Sequence, residues 1–247
     1  MKRPKRLLGQ QAASTDEIVL PPAVELAMEL PRLKRIPQHL GIIPDGNRRW
    51  AAARGLPQSA GYDHGVKPGF LAYELCVALG IRELTLYGFT QDNTKRPADQ
   101  REAFQNACVK VVNWLIQRDA ALLVIGDSRS PLFPADLLPF TRRTVFGKGS
   151  IKVNLLANYS WRWDINHARN GSDHRPPKLE KCLASADLSR INLIVRWGGR
   201  RRLSGFLPVQ SVYSDFFFLD ELWPDFEPAH LFRALHWYEQ QDVTLGG

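Results

Sequence analysis

The chain lacks any run of about 18 apolar residues of the kind that crosses a bilayer, and its N-terminus lacks the apolar block and small-residue cleavage site of a secretory signal. The expected location is therefore cytoplasmic, with at most peripheral contact to a membrane surface. Cysteine is scarce. Cys76, Cys108 and Cys182 stand far apart, show no C-x-x-C spacing and lie in apolar periodic stretches. They predict buried free thiols in a reducing compartment, not a disulfide framework or a zinc site. His39, His64, His167, His174, His230 and His236 are scattered and are read as structural or solvated. There is no P-loop and no G-x-S-x-G elbow, and no RNA-recognition or zinc-finger motif offers itself to nucleic acid.

What the chain has in excess is positive charge. Its 247 residues carry 33 Lys and Arg against 25 Asp and Glu, a formal charge of +8. Such a molecule attracts anions, and nucleic acid, an anionic membrane surface and a phosphorylated small molecule all fit that demand. The length suits one α/β domain with a short extension. Residues 1–36 open on Lys2, Arg3, Lys5 and Arg6 and continue through Pro21, Pro22 and Pro31 without a sustained period. They are read as a basic flexible leader, either a solvated tail or a segment that touches anionic headgroups. Residues 37–247 form the domain.

From residue 39 onward, short apolar runs alternate with amphipathic stretches. Six strands are expected, at 39–43, 84–89, 122–125, 151–156, 191–195 and 216–218. Phe104, Cys108, Val111, Val112 and Leu115 recur at helical spacing in 98–118, as do Leu231, Leu235 and Tyr238 in 228–240. This alternation predicts an α/β single domain, a six-stranded mainly parallel sheet with helices on both faces. Ligands of such sheets sit outside the carboxyl ends of the strands, so the residues after each strand carry the search.

Three segments stand out there. Asp45-Gly46-Asn47-Arg48-Arg49 follows the first strand and leads into a helix, with Asn47 as the expected N-cap. Backbone N–H groups and two adjacent arginines at a helix start could cradle a diphosphate, and a carboxylate facing that anion would ask for a magnesium ion between them. The alternative is a plain Asp-Gly-Asn turn. The polar stretch from Thr90 to Pro97, with Asn93 and Arg96, follows the second strand and reads alone as a loop. Arg196, Arg200, Arg201 and Arg202 crowd around Gly198-Gly199 after the fifth, a density of guanidinium groups that suits phosphate better than open solvent.

Taken together these segments resemble the cis-prenyltransferases, typified by undecaprenyl diphosphate synthase. The resemblance rests on His39-Leu-Gly-Ile-Ile-Pro-Asp-Gly-Asn-Arg-Arg-Trp50, Leu84-Thr-Leu-Tyr-Gly-Phe89 with Asn93 and Arg96-Pro97, Ala157-Asn-Tyr159 with Arg162-Trp-Asp164, Arg196-Trp-Gly-Gly199 and Leu222-Trp-Pro-Asp-Phe226. It implies an enzyme that couples an allylic diphosphate with isopentenyl diphosphate, with Mg2+ as cofactor. It assigns Asp45 to metal and diphosphate, and Gly46, Asn47, Arg48 and Arg49 to the allylic phosphates, supported by Asn93 and Arg96. Arg196, Arg202 and Ser204 match the isopentenyl diphosphate positions, and Asp215 stands where the family has a glutamate metal ligand. A homodimer is expected, and nucleic acid is not an expected partner.

The chain also departs from that pattern. Thr94 replaces an aromatic and Asp92 a glutamate; Tyr62 follows Gly61 in place of histidine; Gln58 replaces a basic residue; Trp197 replaces a threonine; and Arg200-Arg201 replaces a Glu-His pair. The connection from Asp164 to Ile191 is short for the family, which implies an altered product tunnel. The resulting expectation is a prenyltransferase with a short or unusual product. Irregular coupling or cyclisation of a prenyl diphosphate, and a non-catalytic partner subunit, stay open as alternatives.

Overall fold

A computed structural model describes residues 33–169 and 179–242, so all but the last four residues of the expected leader lie outside the described chain. Strands β1 (His39–Ile43), β2 (Glu83–Tyr87), β3 (Ala120–Ile125) and β6 (Leu193–Arg196) are buried along their whole length. β5 (Ile151–Leu156) is buried except at Lys152. Strands covered on both faces read as continuous apolar runs, which is why each was visible as one. Two strands end the sheet: β4 (Thr144–Val145) at one edge and β7 (Asp215–Phe218) at the other, in the order β4-β3-β5-β2-β1-β6-β7. All neighbours are parallel except β3 and β4. Among the described residues the sheet thus has seven strands where six are expected. The additional one, β4, has two residues and is too short to show a period.

The helices are α1 (Asn47–Ala53), α2 (Ala60–His64), α3 (Val66–Leu79), α4 (Ala98–Leu115), α5 (Trp161–Arg169) and α6 (Pro228–Glu239). One face of the sheet is covered by α3, α4 and α6, whose Leu75, Cys76, Val112, Leu115, Leu231 and Leu235 join the main core. Each of these Leu and Val side chains stabilises the fold by about 1.5–3 kcal/mol on full burial. The other face holds Ile125, Tyr159, Ile194, Phe206 and Leu207, and Trp163 of α5 packs against them beside irregular segments. Helices cover both faces as expected, but unequally. Cys76 and Cys108 are buried free thiols, whereas Cys182 is only half-buried. Among the described residues no helix is long and apolar enough to cross a membrane.

At the amino ends of the central strands a buried polar ladder replaces apolar contact. His39 Nε2 lies 2.7 Å from Thr85 Oγ1, and Asn154 Nδ2 donates to Glu83 Oε1 at 2.8 Å and Thr85 Oγ1 at 2.9 Å. At the carboxyl ends the topology opens a crevice. The chain passes from β1 to β2 on one side, and β6 returns to β1 on the other, so the loops after β1 and β6 diverge, the geometry that seats ligands in open α/β sheets.

Candidate active site

Asp45 and Arg196 flank that crevice. Arg196 ends β6, is 4% exposed, and donates from Nη2 to Oδ2 of Asp45 at 2.8 Å. Its Nη1 donates to Ser204 Oγ at 2.8 Å and to the carbonyl of Arg202. One buried guanidinium therefore joins the loop after β1 to the loop after β6. Ser204 takes a left-handed φ of 55°, and its carbonyl accepts from the Tyr87 hydroxyl at 2.8 Å, which holds that loop from the β2 side.

The start of α1 differs from expectation. Gly46, not Asn47, is the N-cap, at φ 110°. That backbone region favours glycine, and a Cβ would also press within 2.8 Å of Leu222. Asn47 is instead the first helical residue and donates from Nδ2 to the Pro44 carbonyl at 3.1 Å, while its buried Oδ1 has no hydrogen-bond partner among the described residues. Arg49 lies one turn on, with Nη2 donating to the Gly198 carbonyl at 2.7 Å and lying 3.5 Å from Asp45 Oδ1. Gly198, at φ 87°, makes this approach possible, because a Cβ there would stand 2.6 Å from the same Nη2.

The Leu222–Phe226 segment closes the crevice from outside. Trp223 donates from its backbone to the Asp45 carbonyl at 3.0 Å and from Nε1 to the Gly65 carbonyl at 2.8 Å. Asp225 accepts from Trp50 Nε1 at 2.6 Å. A second recurrent segment is also structural: buried Asp164 accepts from the Tyr159 hydroxyl at 2.9 Å and from Ser185 Oγ at 2.6 Å.

The result is a cavity of about 360 Å³ lined by Arg48, Arg49, Arg96, Arg200 and Arg202 against the single carboxylate of Asp45. Five guanidinium groups around one acid form a site for an anion of high charge. Arg96 enters through a 3-10 turn, Gln91–Lys95, closed by a capping box in which Asn93 Oδ1 accepts from the Thr90 backbone at 3.0 Å. Asn93 thus braces the loop and does not line the cavity. Thr94 turns onto its own loop, donating to the Gln91 carbonyl at 2.7 Å. Below the arginines an apolar pocket of about 60 Å³ runs between the sheet, α3 and α4, bounded by Tyr62, Leu86, Phe104, Val111 and Trp223. On the Arg202 and Ser204 side the crevice continues into a larger cleft of about 900 Å³.

The candidate metal ligands are not brought together. Asp215 opens β7 opposite Leu193, whereas Arg196 and Ile43 mark the carboxyl end of the sheet. Three residues of strand, about 10 Å, separate the two levels. Asp215 lies instead toward Arg35, Arg190 and Tyr238, and burial raises its pKa. Among the described residues no three His, Cys, Asp or Glu side chains converge on a metal position. Asp45 alone fits a hard divalent cation, because magnesium takes one or two carboxylates and completes its shell with phosphate oxygens. Arg196 occupies Oδ2 and leaves Oδ1 with the longer contact to Arg49.

Tyr62, a departure from the family pattern, stands inside the site, 3% exposed, with its hydroxyl 2.6 Å from Arg96 Nη1. Its only sequence signal is a bulky aromatic after Gly61, and the contact to Arg96 spans 34 residues.

Comparison with known proteins identifies the family and the fold. The prenyltransferase family model described as undecaprenyl diphosphate synthase matches residues 43–246. An isoprenyl transferase of Nitrosomonas europaea is 32% identical over 233 residues, covering 88% of each chain. A ditrans,polycis-undecaprenyl-diphosphate synthase, (2E,6E)-farnesyl-diphosphate specific, of Pseudomonas putida is 34% identical, with 85% of this chain and 91% of that one covered. Among solved structures, lavandulyl diphosphate synthase from Lavandula x intermedia, in complex with dimethylallyl diphosphate, shares the fold with a TM-score of 0.72 at 24% identity, over 85% of this chain and 98% of that one.

Proposed function

The chain belongs to the undecaprenyl diphosphate synthase family of prenyltransferases, and from that premise we propose that it joins a small allylic diphosphate to isopentenyl diphosphate and releases a short or irregular prenyl diphosphate. One observation carries the reading: five arginines crowd a cavity directly above an apolar pocket of only about 60 Å³. That is well below the roughly 150 Å³ that a benzene-sized guest occupies, so even a five-carbon tail enters only as Tyr62 or Phe104 gives way, and each added isoprene unit asks for further displacement.

The chemistry follows from the charges. As the allylic C–O bond breaks, the electron pair leaves with the diphosphate, and negative charge grows where Arg48, Arg49, Arg96 and Arg200 converge. Donors fixed in advance around a developing anion lower the barrier without reorganising. The allyl cation takes the π electrons of the isopentenyl double bond to form the new C–C bond, and a proton leaves the adjacent carbon. Arg202 and the Ser204 loop, on the side of the large cleft, suit the second diphosphate. Magnesium held by Asp45 and phosphate oxygens would add positive charge to the leaving group.

The test is incubation with magnesium, isopentenyl diphosphate and, separately, dimethylallyl, geranyl and farnesyl diphosphate, followed by mass analysis. A dominant short product from the smallest donor supports the reading. Efficient long-chain synthesis from farnesyl diphosphate overturns it.

A further inference from the structure

Tyr62 sits at the partition between the two halves of the site, lining both the arginine-rich cavity and the apolar pocket. Its ring stacks on Phe104 of α4, with centroids 4.6 Å apart and planes 14° apart. Its hydroxyl oxygen accepts from Arg96 Nη1 at 2.6 Å. The Arg96 Cζ lies 5.9 Å from the Tyr62 ring centroid and 5.7 Å from that of Phe104, so both rings flank the guanidinium. Burial depresses the Arg96 pKa, and the nearby Arg48 guanidinium, which repels it, adds to the lowering. Something must keep Arg96 turned into the cavity against this repulsion. The Tyr62 hydroxyl is the group in place to do so. Burial raises the Tyr62 pKa, so the phenol keeps its hydrogen, and an oxygen that accepts from Arg96 still has that hydrogen to donate.

We propose that Tyr62 is a positioning residue for the substrate diphosphate: it holds Arg96 in its binding orientation before the anion arrives and then donates its own hydroxyl hydrogen to a phosphate oxygen. The assignment rests on the prenyl-diphosphate reading of the site. An arginine free to rotate loses about 2 kcal/mol of rotamer entropy on being fixed, and a contact that fixes it beforehand returns part of this as affinity. Gln58, also at the cavity, accepts from Gln100 Nε2 at 3.3 Å and brings no charge, so the grip on the diphosphate rests on the arginines that line the cavity, Arg96 with its support among them.

Calorimetric titration with inorganic diphosphate tests this without any hydrocarbon or turnover, on the parent, Tyr62→Phe, Arg96→Ala and the double variant. Tyr62→Phe keeps the stack on Phe104 and should melt near the parent temperature while binding diphosphate about tenfold more weakly. In the Arg96→Ala background the same change should cost less, since part of its effect passes through Arg96. In steady-state assays KM for the allylic diphosphate should rise while KM for isopentenyl diphosphate holds, and Tyr62→His should recover part of the loss. Unchanged diphosphate binding by Tyr62→Phe, or strict additivity in the cycle, overturns the proposal. Normal coupling in a protein that transfers no prenyl group overturns the functional reading and leaves the role of Tyr62 standing. A parent that binds no diphosphate overturns both.

Discussion

Arg196 and Asp45 meet at 2.8 Å across the switch between β6 and β1, an almost fully buried guanidinium against a carboxylate whose side chain is 32% exposed. The pair fixes the Asp45 carboxylate relative to the sheet before any ligand is bound. It also makes each partner depend on the other, because a buried charge that loses its counter-ion is strongly destabilising.

Asp45→Ala should therefore lower kcat on the order of a hundredfold or more, as expected when charge stabilisation of a leaving group is lost. Thermal melts run in parallel separate this from the cost of stranding Arg196, and Asp45→Asn, which keeps an acceptor for Arg196, should recover stability without recovering activity. Excess EDTA should abolish turnover by the parent. Full activity of Asp45→Ala, or of the chelated enzyme, removes Asp45 from any metal role.

Stability should fall as pH drops below about 6.5, for a reason at the opposite end of the sheet. His39 is fully buried, bonded to Thr85 through Nε2 and to the Ser189 carbonyl through Nδ1 at 3.0 Å. Burial holds its pKa below the ordinary 6.5, although Glu83, 3.9 Å away, pulls it upward; Arg143 adds to the lowering. Below 6.5 the unfolded chain binds a proton that the native state refuses, so this contribution is complete above that pH and shrinks toward the lower folded value. His39→Gln should melt lower at pH 7.5 yet show a flatter melting-temperature profile between pH 7 and 5.5. Identical slopes for the two proteins exclude His39 as the source.

The outer edge of β7 adds a physical reason to the homodimer that the family resemblance implies. Phe216 and Phe218 stack with centroids 6.1 Å apart, Phe217 leans on Trp237 at 5.5 Å, and all three remain half-buried. Val212 and Tyr213, just before the strand, are 65% and 55% exposed. An edge strand flanked by exposed apolar groups is a template for pairing. Light scattering at micromolar protein should report twice the 28.0 kDa chain mass; a monomer would count against this surface as an interface.

The strands were legible because each is short, apolar and bounded by turns, and the arginine clusters because they follow strand ends. What escaped the sequence depended on register or on long-range contact. Asp215 was placed with Asp45 by resemblance, but the β6–β7 register lowers it three residues toward the amino end. Asn47 looked like an N-cap, since side-chain type cannot reveal that Gly46 would take the left-handed position and turn Asn47 back onto Pro44. Asn93 was matched to the chemistry, yet its side chain closes a capping box, a use open to any asparagine at that offset. The short Asp164–Ile191 connection includes residues 170–178, which lie outside the described chain.

The final prediction concerns the donor side of the site, where the departures from the family cluster. Gln58, Tyr62 and Arg200 all line the arginine-rich cavity, while Arg196 and Ser204, the positions that the resemblance matches to isopentenyl diphosphate, are bonded to each other at 2.8 Å. A lost basic contact to a diphosphate costs about 1.5–3 kcal/mol unless another cation takes its place, and Arg200, exposed at the cavity rim, is placed to do so. Arg200→Glu restores the acidic residue type that the family resemblance expects there. In a cavity already rebuilt around arginine, however, it should repel the anion and raise KM for the allylic diphosphate roughly tenfold or more. Because Arg200 is exposed and, among the described residues, bonds no element of the crevice as Arg196 does, the melting temperature should hold. Comparing products from dimethylallyl, geranyl and farnesyl diphosphate for Arg200→Glu and the parent decides the matter. A parent that prefers dimethylallyl diphosphate and is crippled by the substitution has a remade donor pocket; one that extends farnesyl diphosphate into long chains, indifferent to Arg200→Glu, does not.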